Sequence, residues 1–142
     1  MSAKKCQDSF SYLLVHVCKA HRGALADALA EVSLYPGQEM ILIQLWEEDG
    51  LNQSQLIGDC RVEAPTLTKA LHRMEKAGLV ERRRDSQDAR VSRVYLTKRG
   101  RSLQESVSRC WAEVETRMLS ELTVEEKILL RRLLMHIRDS LG

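Results

Sequence analysis

The sequence predicts a mainly helical fold that contains one short, two-stranded ribbon. Apolar residues recur at three- and four-residue steps along most of the chain, which is the period of a helix with one packed face. Residues 91–96 instead alternate with a period of two, as strands do, and residues 79–84 read as a partner strand. Proline, glycine and capping residues divide the helical stretches, so we expect several separate helices around the ribbon.

Composition limits the class of protein. The chain has 142 residues, of which 44% are apolar and 30% are charged, and these values are ordinary for one globular domain with one core. No run approaches the roughly 18 consecutive apolar residues of a membrane span, and the N-terminal stretch MSAKKCQDSF lacks the apolar core of a signal peptide. We therefore expect a cytoplasmic protein without a membrane partner.

Chemical motifs are few. Cys6, Cys18, Cys60 and Cys110 lie far apart without CxxC pairing, so we expect reduced thiols, and whether any of them senses oxidants stays open. Cys18 and His21 can share a helix face, but no second pair has metal-ligand spacing, which favours packing over a metal site. The sequence contains no nucleophile elbow and no glycine-rich phosphate loop. We therefore expect neither an enzyme nor a cofactor.

The first elements are three helices. Residues 8–32 carry one apolar stripe, and residues 37–48, which follow a proline, are apolar nearly all round and should be buried. Asn52 stands three residues before Gln55, a spacing close to a capping box, and opens the short helix NQSQLIGD. A turn near Arg61 should follow.

The next helix, over residues 64–77, is the most informative element. Pro65 suits its first turn and Gly78 its C-terminal cap. At about 100° per residue, its aliphatic side chains cluster within roughly a third of the circumference. The opposite face carries cations and hydroxyls, as in the second helix of a helix-turn-helix, which fits a DNA major groove about 12 Å wide. The aliphatic face is Leu67, Ala70, Leu71 and Met74, and the candidate DNA contacts are Pro65, Thr66, Thr68, Lys69, His72, Arg73 and Lys76.

Two strands, over residues 79–84 and 91–96, follow this helix and flank the polar loop DSQDA. Val94 and Leu96 should share one face of the ribbon, with Arg93 and Tyr95 on the other. A helix-turn-helix followed by such a hairpin is a winged helix, and an arginine at the wing can reach a minor groove, where the potential over narrow A·T-rich steps is most negative. The wing adds Arg82, Arg84, Asp88, Arg90 and Arg93 to the candidate DNA contacts.

The charge distribution favours the same surface. Residues 61–101 contain 12 lysines and arginines against 5 acids, a net charge of +7 in a chain whose total is +2, so the remainder carries −5. A basic middle with acidic ends is expected when one face meets a polyanion.

The run PTLTKALHRMEKAGLVERRRDSQDARVSRVYLTKRG resembles the DNA-binding core of the MarR (multiple antibiotic resistance regulator) family. The family's motif is a D-x-R wing followed by V-x-L-T-x-x-G, and the flanking helices match in order and length, so the resemblance covers almost the whole chain. It implies that Arg90 is the minor-groove residue and that Asp88 positions it, as a carboxylate can fix a guanidinium fork. The motif positions are Asp88, Arg90, Val94, Leu96, Thr97 and Gly100.

Two further helices should follow the wing. Thr97 can cap a helix whose apolar residues continue to Met118, and Thr123 with Glu126 forms a capping box for the last helix. These ends are more apolar than the outer helices of a monomer need to be.

The resemblance implies a two-fold dimer formed by the terminal helices. We therefore expect a single domain over residues 1–142, in which residues 8–33 and 98–141 form the dimerisation region and residues 37–97 the winged helix-turn-helix. Such a dimer would bind double-stranded DNA at an inverted repeat with half-sites about 10 base pairs apart.

The resemblance also implies a regulator, most often a repressor, whose small anionic or phenolic effector binds between the dimerisation helices and the DNA-binding lobe. Family members that sense peroxides carry a reactive cysteine near the start of the first helix, and alignment on Tyr35 places that position near Phe10, which is not a cysteine. Candidates for lining the effector pocket are His16, His21, Arg22, Tyr35 and Trp46.

Three alternatives remain at this point. The chain could be a redox-responsive regulator of the same fold, a winged-helix module for protein interactions, or an RNA-binding winged helix. A protein-interaction module would favour an apolar or mixed outer helix face, and an RNA reader would favour single strands or A-form helices. The sequence does not determine the operator, the regulated genes, the effector, or the choice between repression and activation.

Overall fold

A computed structural model describes residues 3–60 and 62–142 of the chain. The turn expected near Arg61 lies outside the described residues. The helices are α1 (Ala3–Gln7), α2 (Phe10–Ala30), α3 (Gln38–Glu47), α4 (Gln53–Cys60), α5 (Ala64–Lys76), α6 (Lys98–Ser102), α7 (Gln104–Met118) and α8 (Val124–Leu141). The strands are β1 (Leu51–Asn52), β2 (Val80–Arg84) and β3 (Ser92–Leu96).

The core lies where α3, α5 and the sheet meet, and it continues between α2 and α7. The second helix predicted from the sequence, α3, is central as expected, since Ile41, Leu42 and Leu45 are buried. The thiol of Cys110 on α7 donates to the Ala28 carbonyl of α2 over 3.4 Å, which records how closely these two helices pack. The winged helix is thereby joined to the N- and C-terminal parts of the chain by one continuous core.

The sheet has three antiparallel strands in the order β1-β3-β2. The two strands of the wing were expected, and their alternation is confirmed, with Val94 and Leu96 buried while Arg93 and Tyr95 are half-buried. The third strand, β1, was not expected, because Leu51 pairs with Val94 across a long sequence separation. It closes one edge of β3 and so attaches the wing to the end of α3.

Two predicted helices have different bounds in the structure. The expected helix over residues 8–32 begins instead at Phe10, because the Ser9 hydroxyl caps α2 by accepting from the Tyr12 amide at 3.1 Å. The helix expected to start at Thr97 is interrupted at Leu103, which separates α6 from α7.

The predicted capping residues are confirmed. Asn52 and Gln55 bond each other's backbone amides reciprocally at 2.9 Å, and Thr123 with Glu126 forms a complete capping box at the start of α8. In the described part of the chain, no helix has both the length and the hydropathy of a membrane span.

Candidate nucleic-acid interface

Helix α5 is fixed by its ends and by its apolar face. Gly78 has φ 74°, a left-handed conformation that favours glycine, and the Leu79 amide donates to the Met74 carbonyl at 2.9 Å, so the helix closes in a Schellman motif. Leu67, Leu71 and Met74 are buried, as predicted. Because those three residues point inward, the opposite face is exposed. That face comprises Pro65, Thr66, Thr68, Lys69, His72, Arg73 and Lys76.

One residue of this face, Thr68, also forms hydrogen bonds within the protein. The Thr68 hydroxyl donates to the Ala64 carbonyl at 2.9 Å and accepts from the Gln53 side chain at 2.7 Å. It therefore connects α5 to α4 and fixes the angle of the helix-turn-helix. Any contact of Thr68 with a ligand would have to share or replace these bonds.

On the strands of the wing, two of the predicted DNA contacts are occupied by internal ion pairs. Arg93 donates to Asp85 at 2.9 Å and to the Gly50 carbonyl at 3.0 Å, and the bond from Arg93 lowers the pKa of the Asp85 carboxyl. The Arg82 Nε lies 2.7 Å from Glu75 of α5, out of line for a hydrogen bond, so this contact is an ion pair between β2 and α5. Arg82 and Arg93 thus brace the wing against α5 and α3.

The tip of the wing presents Arg90. Its side chain is 91% exposed, and its Nε and Nη2 donate to the two carboxylate oxygens of Asp88 at 3.1 and 3.3 Å. The backbone amide of Arg90 donates to the same carboxylate at 3.1 Å, and Asp88 is itself held by a bond from its amide to Asp85 at 3.0 Å. The bonds from the Arg90 side chain and amide lower the pKa of Asp88, so the carboxylate is ionised at neutral pH and forms charge-assisted bonds with the guanidinium.

Arg83 and Arg84, at the end of β2, differ from each other. Arg83 forms an ion pair with Glu81 and lies over the Tyr95 ring at 4.6 Å. Arg84 is exposed and, among the described residues, makes no ion pair within 4.0 Å. Of these two, Arg84 is therefore the cation available to a polyanion.

Three residues position the junction of α5, the wing and α6, and of these the sequence reasoning singled out only Thr97. The Thr97 hydroxyl donates to the Gly78 carbonyl at 2.6 Å, and Arg99 donates to the Ala77 carbonyl at 2.8 Å, so the start of α6 satisfies the last carbonyls of α5. Asp49 accepts from the Leu96 amide at 2.9 Å and pairs with Arg101 at 2.7 Å. No local pattern identifies Asp49, which from the sequence is only a helix-ending Asp-Gly.

Gly100 explains the last position of the wing motif. A Cβ on this residue would lie 2.2 Å from the Leu79 carbonyl oxygen, so a side chain cannot fit without moving backbone. The Gly100 carbonyl accepts from the Trp46 indole at 3.0 Å. The glycine therefore allows α6 to approach both the end of α5 and the side of α3.

The predicted effector residues do not converge on one place. His21 and Trp46 line a cavity of about 910 Å³ between α2, α3 and α7, whereas Tyr35 lines a cleft of about 220 Å³ beside Lys69 on α5. His16 instead packs on the Tyr12 ring, and Arg22 is exposed and borders neither space.

The cysteines differ in environment. Burial raises the pKa of the Cys60 thiol to about 11 and also raises the pKa of Cys110, which disfavours the reactive thiolate at both positions. Cys6 and Cys18 are exposed. Within the described residues, no group of three or more His, Cys, Asp or Glu side chains is arranged to hold a metal ion.

Comparison with known proteins shows the family of this chain. The model of the MarR family matches residues 34–92, which run from the turn before α3 to the first residue of β3. The transcriptional regulator AdcR of Streptococcus pneumoniae is 32% identical over 103 residues, which cover 72% of this chain and 70% of that protein. The chain belongs to the MarR family. The HTH-type transcriptional regulator TtmR of Methylorubrum extorquens is 33% identical over 118 residues, 83% of this MarR-family chain, but the match spans 60% of TtmR's length.

Solved structures support the membership. A probable transcriptional regulator from Pseudomonas aeruginosa is 26% identical with a TM-score of 0.85, covering 93% of this chain and 98% of that one. The Staphylococcus aureus MepR–DNA complex is 25% identical with a TM-score of 0.83, again covering 93% and 98%. The winged-helix fold of this MarR-family chain is thereby matched along nearly its full length.

Proposed function

We propose that this MarR-family chain is a homodimeric regulator of transcription that binds double-stranded DNA sequence-specifically, most simply as a repressor. The observation that carries the proposal is that Arg90, 91% exposed in the loop at the tip of the wing, pairs with Asp88, while α5 of the same winged helix exposes a cationic face. A structural neighbour solved as a DNA complex has the same fold, and this supports the proposal.

Helix α5 is the element that would enter the major groove. Its buried side fixes its angle, and the outer side offers Lys69, His72, Arg73 and Lys76 at an exposed surface. Lysine, arginine and histidine reach base edges and phosphates, so this helix would supply most of the base-specific contacts.

The wing would reach the adjacent minor groove through Arg90. A guanidinium that is already paired loses less conformational freedom on insertion, because the Asp88 carboxylate restricts its rotamers before DNA arrives. Arg84 would bind backbone phosphate. Arg82 and Arg93, which the sequence suggested as DNA contacts, would instead keep the wing at the right angle through their pairs with Glu75 and Asp85.

Dimerisation would use the terminal helices. Helix α8 has no buried residue in the single chain, and the first half of α2 exposes Phe10, Leu13 and Val17. Apolar faces of this size normally mark an interface. A two-fold dimer built on them would present two copies of α5 to an inverted repeat, with half-sites about 10 base pairs apart.

Regulation would come from a small ligand bound between the dimerisation helices and the winged helix. Such a ligand acts only if it favours one spacing of the two α5 helices over another. We place this regulator in the cytoplasm, on the nucleoid when bound to DNA.

The test is selection of duplexes from a pool of genomic fragments by the purified chain at physiological salt. Arg90→Ala and the control Arg109→Ala are run in parallel, since Arg109 is an exposed arginine of α7 far from the wing in sequence. We expect an inverted repeat that the parent and Arg109→Ala enrich and Arg90→Ala loses. Equal enrichment by all three would remove Arg90 from the interface, and recovery of no duplex would contradict the proposed DNA binding.

A further inference from the structure

The cavity of about 910 Å³ between α2, α3 and α7 is large enough for a drug-sized molecule. Its wall is formed by residues from all three helices, so a ligand there would contact both the long N-terminal helix and the winged helix. The chemistry of this wall decides which class of molecule it suits.

The charged groups of the wall are acidic. Glu47 of α3 and Glu115 of α7 line the cavity together with His21 of α2, and none of the lysines and arginines that the structure describes lines it. Neither carboxylate forms an ion pair within 4.0 Å with a described residue. Two unpaired carboxylates repel an anionic guest and attract a cation.

The aromatic groups of the wall have the same preference. Trp46 and Trp111 both line the cavity, and His21 meets the edge of the Trp111 ring with centroids 6.3 Å apart. Indole faces bind cations better than other aromatic rings do, and they also stack on apolar bodies. The Trp46 ring is held in place because its Nε1 donates to the Gly100 carbonyl at 3.0 Å.

We infer that this cavity binds an organic cation with an aromatic or otherwise apolar body. This departs from the anionic or phenolic effector that the family resemblance implies, since no lysine or arginine among the described residues lines the wall to pair with such a ligand. The inference rests on the proposed function for its regulatory meaning, but binding itself does not depend on DNA.

Two ions of nearly the same shape and opposite charge make the test direct. The full chain is titrated with tetraphenylphosphonium and, separately, with tetraphenylborate, while its intrinsic tryptophan fluorescence is followed. The sequence contains 2 tryptophans and both line the cavity, so the signal reports this space. We expect saturable quenching by the cation, with an affinity about tenfold or more above that of the anion.

Variants test whether the carboxylates of Glu47 and Glu115 make the cavity prefer the cation over the anion. Glu47→Gln and Glu115→Gln each remove one carboxylate while keeping the side-chain shape, and Glu113→Gln is the control, because Glu113 is an exposed acid on α7 outside the cavity wall. We expect the double variant to lose about tenfold in affinity for the cation and to leave the anion unaffected or better bound. Circular dichroism confirms that each variant is folded.

Three results would overturn the inference: equal or tighter binding of the anion, cation binding unaffected by the double variant, or binding of neither ion. A final arm adds the saturating cation to the complex of the chain with its selected duplex. If the cation binds the cavity as expected but DNA affinity does not change, the inferred ligand class stands and the proposed ligand regulation fails. If no duplex was selected at all, the proposed function fails while the fluorescence result remains valid.

Discussion

The winged lobe (residues 37–97) and the terminal helices (the first half of α2, with α8) differ in how many large apolar side chains they expose. Among the described residues of the winged lobe, no large apolar side chain is exposed. Helix α8 alone exposes eight: Val124, Ile128, Leu129, Leu133, Leu134, Met135, Ile137 and Leu141. One chain therefore completes the winged lobe but leaves the terminal helices without a covering surface.

The two regions also differ in whether their ion pairs join separate elements or residues of one helix. In the winged lobe, ion pairs such as Arg93 with Asp85 and Arg82 with Glu75 join separate elements. In α8, the ion pair between Arg138 and Asp139 joins neighbours on the same helix. The lobe is consequently held in one shape before it meets any partner, whereas the position of α8 would be fixed by a second chain.

The largest expected effect comes from breaking the terminal surface. Leu134→Lys places a charge on the exposed apolar face of α8, and we expect the dimer to dissociate at micromolar concentration because the charge would be buried without a partner. Sedimentation equilibrium measures the mass, and operator affinity should fall by about 100-fold or more once the two half-sites are read separately. Thr116→Lys, at an exposed polar position of α7, is the control and should stay dimeric. A parent chain that sediments as a monomer would contradict the dimer.

The next effect concerns the interior of the lobe. Gly100→Ala places a Cβ 2.2 Å from the Leu79 carbonyl, so we expect the free energy of unfolding to fall by about 1–3 kcal/mol as the junction of the wing with α6 shifts. Gly58→Ala is the matched control, since its Cβ would meet nothing within 4 Å inside α4, and a helical alanine should stabilise by about 0.5–1 kcal/mol. Urea denaturation checks both. Equal effects of the two substitutions would show that the close approach at Gly100 is not a constraint.

A smaller effect separates the two arginine–aspartate pairs of the wing. Arg93→Ala removes the bonds to Asp85 and to the Gly50 carbonyl, so it should lower the unfolding temperature and let the pKa of Asp85 rise toward its ordinary value. Arg90→Ala removes a pair at the exposed tip and should leave the unfolding temperature unchanged while weakening DNA binding. Calorimetry and NMR titration of the Asp85 carboxyl provide the measurements. The reverse pattern would mean that Arg90 is the structural residue of the wing.

The smallest effect is expected at Arg84. If this unpaired side chain binds backbone phosphate, Arg84→Ala should weaken binding to all duplexes about equally and lower the salt dependence of log K by about one unit. Binding isotherms at several salt concentrations, for the operator and for a scrambled duplex, test this. A loss confined to the operator would place Arg84 at base edges instead.

Local patterns accounted for most of the fold. The aliphatic stripe of α5, the capping residues Asn52 and Thr123, and the alternation of β3 are properties of neighbouring residues, and each is found in the structure as predicted. The errors arose where a short local signal opposed a long periodic one. Ser9 caps α2, so this helix begins at Phe10 and not at residue 8, where the periodic pattern had placed its start.

Only part of the candidate site could be predicted from the sequence. The exposed face of α5 and the pair of Asp88 with Arg90 could be expected from spacing and from the family motif. Arg82 and Arg93 could not be separated from the free cations by sequence, because their partners Glu75 and Asp85 are brought to them by the packing of β2 and β3.

The sequence by itself determined the helical and strand periods, the caps, the basic middle of the chain and the motif of the wing, since these depend on residues a few positions apart. The tertiary structure alone decided the third strand, the bonds of Asp49 to β3, the contact of Trp46 with Gly100 and the acidic, aromatic wall of the cavity. Each of these joins residues that are distant in the chain. Such contacts form only when the burial of one common core brings the elements together, and no local pattern encodes them.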